Sequence, residues 1–594
     1  ADADAVSDLK GFLSENGITV NEQADEADTT IILGESDDEI PALDQAKERL
    51  GIEGADSLAE EGYVLSVRPE DSEGGTVVIE GKDGDGTFYG VQTLRQLADE
   101  SEGNVILAAA DIKDEPSMSV RGTIEGFYGN PWSHEDRISQ IEFYGDMKMN
   151  TYIYAPKDDP YHREQWREPY PESEMERMQE LIDVSDRNKV DFVFALSPGI
   201  DIQFDGSAGE SDYQALVSKC QSLYDMGVRS FAIFFDDISN KDGIKQAELL
   251  NRFNEEFIQA KGDIKPLITV PTEYDSNAMG VASTISTYTE EFAGTLDPSI
   301  KVLWTGTAVV PEGIDVSNAQ QVKSVYGDRM GIWWNYPCTD YIQNKLGLGP
   351  VYGLDKGLED EVDFLVLNPM EHAEASKIAL YGVADYTWNM ADYDSRASWK
   401  YALKALMPLH ADYLETFAAH NSDQGPSGLE FRREESVSIQ SALSKLLESY
   451  RKEQKKDSTS YGEVAKECRR IVASANVLLA SEKENPALYK EIKPWLLQFK
   501  LVGEYGGEVL DMMESFQMKE CFMRSYEQAR ALQILMREVN DTYNRTASHP
   551  GIKSGSRYLR PSFDALFELA TEHFNKICGN LDAKPLPWEE VKKQ

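Results

Sequence analysis

Histidine is scarce in this chain, with seven in 594 residues, and none falls in an HExxH spacing. Cysteine is scarcer still. Cys220, Cys338, Cys468, Cys521 and Cys578 are scattered singly, with no CxxC pair. Together these absences exclude a structural zinc site and a disulfide framework, leaving room for one disulfide. Positive charge is also short: 58 Lys and Arg stand against 105 Asp and Glu, a formal net charge of −47. Nucleic-acid and anionic-membrane partners need a basic footprint, so neither is expected. The plain meaning of so acidic a surface is solubility. No apolar run approaches the length of about 18 residues that a membrane-spanning helix needs, so none is expected. The opening Ala1-Asp2-Ala3-Asp4-Ala5 lacks the basic and apolar regions of a signal peptide. The expectation is a secreted or periplasmic protein whose signal has been removed, with a cytoplasmic protein as the alternative.

What is present is enough apolar material for several cores: 41% of residues are hydrophobic and 10% aromatic. Residues 1–115 read as a small α/β domain. Its strand candidates are Thr29–Leu33, Tyr63–Val67 and Thr76–Glu80. A glycine-rich turn, Gly81 to Gly86, leads into a helix carrying Tyr89, Val91, Leu94 and Leu97. The turn has no GK[ST], and Asp83 and Asp85 would repel phosphate, so it reads as an ordinary strand-to-helix connection.

Over residues 116–420 short apolar runs alternate with amphipathic stretches. The runs are Val120–Phe127, Thr151–Pro156, Asp191–Pro198, Phe231–Asp237, Pro266–Pro271, Lys301–Thr307, Gly331–Pro337 and Asp363–Pro369. Eight strands separated by helical material predict a (β/α)8 barrel, followed by helices at Ser376–Met390 and Ser398–His420. The breaker-rich segment Asn421–Gly428 reads as a linker. Residues 429–594 read as a helical bundle, with helices such as Ile439–Glu453, Gly462–Ser481 and Cys521–Thr542. No internal repeat or low-complexity segment appears. The fold class is α/β, a barrel flanked by a small α/β domain and a helical bundle.

Two adjacent carboxylates, Asp236 and Asp237, follow the apolar run Phe231–Phe235. A helix cap or solvated turn is the bland reading of such a pair. At the C-terminal end of a buried barrel strand, however, the pair sits where such barrels place their chemistry. Burying carboxylates costs free energy unless they are paired or used. The other strand ends supply Glu125-Gly-Phe-Tyr128, Lys157, Thr272-Glu-Tyr274, Trp304-Thr-Gly306, Trp333-Trp-Asn335 with Asp340, and Asn368. Taken singly, a Trp here is core, Lys157 a partner of Asp158 or Asp159, and Asn368 a turn former. On one rim they compose a sugar site: aromatic faces stack on pyranose C–H surfaces, and Asp, Asn and Lys satisfy hydroxyls. A phosphate site would carry Arg and glycine amides, and a metal site would carry His.

Arg121-Gly-Thr-Ile-Glu-Gly-Phe-Tyr-Gly-Asn-Pro-Trp132, Tyr152–Tyr161, Phe234-Phe-Asp-Asp-Ile238, Pro271-Thr-Glu-Tyr274 and Trp333-Trp-Asn-Tyr-Pro337 resemble the family 84 glycoside hydrolases. That family holds bacterial and animal β-N-acetylglucosaminidases, O-GlcNAcases among them. Tyr89-Gly-Val-Gln-Thr-Leu94 resembles its N-terminal α/β domain, and the three-part layout is most similar to the bacterial members. The resemblance implies a retaining, substrate-assisted exo-hydrolase of terminal β-linked GlcNAc, needing no cofactor or metal. Asp236 would orient the 2-acetamido group, whose oxygen attacks the anomeric carbon to form an oxazoline. Asp237 would act as acid and then base. Two close carboxylates resist double ionisation, which would keep one protonated. Tyr274 would donate to the acetamido oxygen, Trp333 and Thr305 would line the N-acetyl pocket, and Tyr128 would sit near it. The backbone of Gly126, with Lys157, Asn335, Asp340 and Asn368, would hold the sugar hydroxyls. Some bacterial relatives carry a tryptophan from the C-terminal region near the groove, and the linker Asn421–Gly428 has none.

The substrate is expected to be a GlcNAc-bearing glycan or glycoprotein. The alternatives are a hyaluronidase-like or chitin-oligosaccharide hydrolase using the same site, a catalytically idle sugar-binding module, and a magnesium hydrolase with the aspartate pair as ligands. The oligomeric state and calcium binding by the N-terminal domain stay open.

Overall fold

A computed structural model describes residues 1–22, 27–69, 74–101, 104–426, 432–453, 456–546 and 549–589. The eight apolar runs form eight parallel strands. They are β1 (Val120–Glu125), β2 (Thr151–Tyr154), β3 (Asp191–Leu196), β4 (Ser230–Phe234), β5 (Ile268–Val270), β6 (Lys301–Trp304), β7 (Met330–Trp334) and β8 (Phe364–Leu367). Each pairs with its chain neighbour, and β8 closes onto β1 through Phe364–Leu367 against Val120–Thr123.

Side chains alternate between two cores, as the two-residue period of a strand requires. On β4, Ala232 and Phe234 join the barrel interior, with Ile124, Ile153, Val193, Leu303, Trp333 and Val366. Phe231, Ile233 and Phe235 join the layer between barrel and helices. Being buried on both faces explains why these strands read as continuous apolar runs.

The N-terminal domain places Thr29–Glu35, Gly75–Gly81, Tyr63–Pro69 and Ala110–Asp114 in one sheet, the first pair parallel and the rest antiparallel. The Ala110–Asp114 strand is absent from the sequence-based expectation. Asp83 caps the helix Gly84–Leu97, its carboxylate accepting from the Gly86 N–H, so an anion already sits at that helix start. The domain is pinned to the barrel by Arg121, fully buried, which pairs with Glu61 at 2.6 Å and lies 5.1 Å from the Trp388 ring.

Two local expectations are corrected. The helix expected over Ser398–His420 is two helices, Ser395–Leu406 and Ala411–Ala419. Pro408 stands between them, with no N–H and a ring that clashes with a continuing helix. Nor do the described residues of Asn421–Gly428 form a solvated linker; Ser427 and Gly428 lie outside the described residues. Asn421, Ser422, Asp423 and Gln424 are buried. Gln424 donates to the carbonyls of Pro337 and Cys338 at 2.8 Å, bracing the loop after β7. Asp423 takes Lys345 at 3.1 Å and Arg432 at 2.8 Å. The polar residues that look like a linker are a buried ion network whose partners come from elsewhere in the chain.

Glu435 belongs to the same network. It is buried and accepts from the Arg557 N–H at 3.0 Å. Burial pushes its carboxyl from 4.5 up to about 7, against the pull of that N–H and of Lys345. Between those values the folded chain binds a proton that the unfolded chain has lost. Its contribution is therefore whole below pH 4.5 and is lost as pH rises through about 7. The full swing is about 3 kcal/mol. Glu435→Gln is expected to flatten this slope. Melting temperatures of both proteins at several pH values from 4 to 8 check it, and parallel curves would refute it.

Beyond this buried segment, Gln440–Glu453, Ser458–Leu479, Pro486–Ser515, Lys519–Thr542 and Leu559–Ile577 form the helical region. Their core is continuous with Leu346, Leu348, Met370 and Ile378 of the barrel, so this region packs directly against the loops after β7 and β8.

Candidate functional site

The barrel's alternation dictates which residue after each strand faces inward. The inward residue at or just past the strand end is Ile124, Ala155, Phe234, Leu303, Trp333 and Val366 on β1, β2, β4, β6, β7 and β8. Two residues on, in the same order, come Gly126, Lys157, Asp236, Thr305, Asn335 and Asn368. All six line one cavity of about 140 Å³ at the C-terminal mouth of the barrel. Tyr128, Asp237, Tyr274, Trp333 and Asp340 line it too, so every site residue that the family resemblance implies meets there, whereas Glu125, Glu273, Trp304 and Trp334 of the same strand ends do not line it.

Asp237 breaks the alternation. Its parity would turn it outward, but its φ is +54°, and this left-handed turn returns the side chain to the cavity. Strain of this kind persists where the surroundings over-determine it. Here Tyr274 donates to Oδ1 and Tyr128 to Oδ2 of Asp237, both at 2.7 Å. Arg163 donates to the Tyr128 hydroxyl at 2.9 Å and to the Asp237 carbonyl at 3.1 Å. Burial first, and then the Asp237 charge, raise both phenols above their ordinary range, so both stay protonated as donors.

The two aspartates occupy different surroundings. Asp237 is exposed at the mouth, whereas Asp236 is buried. Asp236 Oδ2 accepts from Lys157 Nζ. Its Oδ1 is buried with no hydrogen-bond partner among the described residues. A buried carboxylate oxygen without a donor is costly and needs one from a ligand.

The opposite wall is a fixed polar chain. Trp333 Nε1 and Asn368 Nδ2 both donate to Asn335 Oδ1, at 2.7 and 2.9 Å, and Asn335 Nδ2 donates to the Val309 carbonyl. Asn368 Oδ1 accepts from the Gly126 N–H at 3.3 Å. A Cβ on Gly126 would lie 2.7 Å from the Trp333 ring, so only glycine lets the indole close the wall. Asp340 accepts from the Tyr128 N–H at 3.0 Å, and burial raises its carboxyl above the ordinary range.

Sequence reasoning missed Val270, Val309, Val310, Cys338 and Tyr341 in the wall, and Arg163 behind it. The valines and Cys338 carry only the signal of apolar residues near strand ends. Arg163 follows the quoted Tyr152–Tyr161 stretch by two positions and carries no signal of its own. Cys338 is no nucleophile: burial holds its thiol far above the usual range. All five cysteines are free.

The donor set does not suit a divalent cation. Lys157 and two phenolic hydroxyls occupy three of the pair's four carboxylate oxygens, the Lys157 ammonium would repel a cation at the fourth, and no histidine lines the cavity. Among the described residues, the acidic group close enough to share a cation is Glu35, Asp37 and Asp38, in the N-terminal domain.

Comparison with known proteins gives this geometry a family. A beta-N-acetylglucosaminidase family model matches residues 121–419. A bacterial GH84 post-catalytic domain matches 435–567, and domain 2 of glycosyl hydrolase family 20 matches 1–115. The chain is 34% identical over 274 residues to the protein O-GlcNAcase of Rattus norvegicus, covering 45% of this chain and 29% of that protein. It thus spans less than a third of the length of that curated relative. The solved structure of CpGH84B is similar with a TM-score of 0.84 and 40% identity, over 95% of both chains. A mutant of the Thermobaculum terrenum O-GlcNAc hydrolase is similar with a TM-score of 0.64 and 27% identity, over 78% of this chain and 95% of that one. The chain belongs to the β-N-acetylglucosaminidase family, glycoside hydrolase family 84.

Proposed function

We propose that this protein is a retaining exo-β-N-acetylglucosaminidase that removes terminal β-linked GlcNAc through an oxazoline intermediate. The observation that carries the reading is the unequal pair. Asp236 is buried, held on Lys157, with one oxygen awaiting a donor, and Asp237 stands exposed at the mouth between two phenols. A 2-acetamido group supplies the missing donor. Its N–H bonds to Asp236 Oδ1, which turns its carbonyl oxygen toward the anomeric carbon. As that oxygen bonds to the carbon, the glycosidic C–O bond breaks and Asp237 gives its proton to the leaving oxygen. Positive charge spreads onto the acetamido nitrogen, where the anionic Asp236 stabilises it. Water then attacks the same carbon, its proton passes to Asp237, and the oxazoline reopens. Two inversions give net retention.

Tying the nucleophile to the sugar gives it a high effective molarity without a covalent enzyme intermediate. Tyr274 and Tyr128 meet Asp237 in the free protein, so a protonated Asp237 requires one hydroxyl to turn and accept, or to leave for the acetamido oxygen.

The test is a series of 4-methylumbelliferyl glycosides with acetyl, monofluoro-, difluoro- and trifluoroacetyl groups on the sugar nitrogen. Fluorine weakens the carbonyl oxygen as a nucleophile. The rate is expected to fall steeply along the series, by about a hundredfold or more at its end. A flat series would reject substrate assistance. Full activity after dialysis against EDTA is also expected, and its loss would favour the metal reading.

A further inference from the structure

The two phenols on Asp237 are held differently, and Arg163 makes the difference. Tyr274 reaches Asp237 through a single bond, its hydroxyl to Oδ1. Tyr128 is tied at three points. Its N–H donates to Asp340 at 3.0 Å, its hydroxyl donates to Asp237 Oδ2, and that hydroxyl accepts from Arg163 Nη1 at 2.9 Å. Through Nη2 the same guanidinium donates to the Asp237 carbonyl at 3.1 Å. One cation therefore grips both the backbone of the left-handed turn and the phenol that holds its side chain.

Arg163 is itself fixed. It is buried, and its Nε has no partner among the described residues, so the bonds to Tyr128 and Asp237 are the ones that offset its burial. The turn that carries it is fastened to the end of β3. There His162, fully buried, donates from Nδ1 to the Ala195 carbonyl at 2.7 Å, and the Ser197 N–H donates to the His162 carbonyl at 2.9 Å.

A guanidinium donates and never accepts. With Arg163 on its oxygen, the Tyr128 hydroxyl directs its own proton to Asp237 Oδ2. Were Asp237 to carry its acid proton on Oδ2, Tyr128 would have to take two donors at once and turn its own proton away. A proton on Oδ1 asks less, because Tyr274 has only to leave that oxygen.

We propose that Arg163 is a positioning residue that locks Tyr128 onto Oδ2 of Asp237, so that the acid proton is carried on Oδ1, the oxygen that Tyr274 vacates. As the glycosidic bond breaks, the Oδ1–H bond breaks with it and the leaving oxygen takes the proton. When water attacks, one of its O–H bonds breaks and that proton returns to Oδ1. The inference rests on the acid/base reading of Asp237 and names the atom that acts and the residue that orients it.

The test reads a ratio: kcat/KM on an alkyl β-GlcNAc, whose alkoxide needs a proton, divided by kcat/KM on the dinitrophenyl glycoside, whose phenolate does not. Any general loss of folded enzyme lowers both terms alike and cancels. Arg163→Met is expected to lower the ratio about tenfold, and Arg163→Lys less, because an ammonium on a different stem reaches one of the two acceptors. Tyr128→Phe should lower it as Arg163→Met does. Tyr274→Phe, whose loss falls on the acetamido oxygen, should slow both substrates and leave the ratio unchanged. Added to Asp237→Asn, Arg163→Met should lower the ratio no further. An unchanged ratio in Arg163→Met, a further fall in that double mutant, or a ratio that responds to Tyr274→Phe and not to Tyr128→Phe would each overturn the inference. A ratio unchanged in Asp237→Asn itself would instead overturn the acid/base reading, and the inference with it.

Discussion

Asp236→Asn is expected to lower kcat/KM on every β-GlcNAc substrate by about 10²–10³-fold, whatever the leaving group. The change removes the charge facing the acetamido nitrogen, so activated aryl glycosides lose as much as unactivated ones. It also has a second consequence that must be separated from the first. The Lys157 side chain is 1% exposed and Asp236 is its carboxylate partner. Removing one member of a buried ion pair leaves the other charge unpaired, at a cost of about 3–5 kcal/mol. Asp236→Asn should therefore melt at a lower temperature as well. Combining it with Lys157→Met removes the stranded charge and should restore much of the stability while leaving activity low. A double mutant that recovers activity along with stability would show that Asp236 serves only as a partner for Lys157, and the assignment to the acetamido group would fall.

Much of this site is readable in the sequence because a barrel imposes a simple rule. Strands buried on both faces become apolar runs, and the first polar residue beyond the run in step with the inward face lands in the mouth. Lys157, Asp236, Thr305, Asn335 and Asn368 all obey it. Asp237 does not, since its place depends on a left-handed backbone angle that no local pattern announces. Arg163 acts through Tyr128 and Asp237, which are 35 and 74 positions away, so spacing cannot reveal it. The segment from Asn421 to Gln424 was illegible for a related reason. Its composition is that of a solvated linker, and only Lys345, Arg432 and the loop after β7, brought to it by the fold, make it a buried network.

Asp237→Asn is expected to behave differently from Asp236→Asn, and the difference divides the labour between the two residues. A general acid matters in proportion to how badly the leaving group needs a proton. On chitobiose or an alkyl glycoside, where an alkoxide must leave, kcat/KM should fall by about 10³–10⁴-fold. On a dinitrophenyl glycoside, whose phenolate leaves unaided, oxazoline formation should lose far less. The water-activating step then becomes limiting, and kcat should fall more than kcat/KM. Asparagine is the clean replacement here. Asp237 is exposed and sits at φ +54°, a region that Asn tolerates, so little stability should be lost. Its amide can accept from one phenol and donate to the other. Tyr128, which already accepts from Arg163, has a second lone pair for that bond. The melting temperature is therefore expected to stay within a few degrees of wild type, in contrast to Asp236→Asn. Equal losses across leaving groups of widely different acidity would remove Asp237 from the acid/base role. They would leave it, like its neighbour, as a charge that orients the sugar.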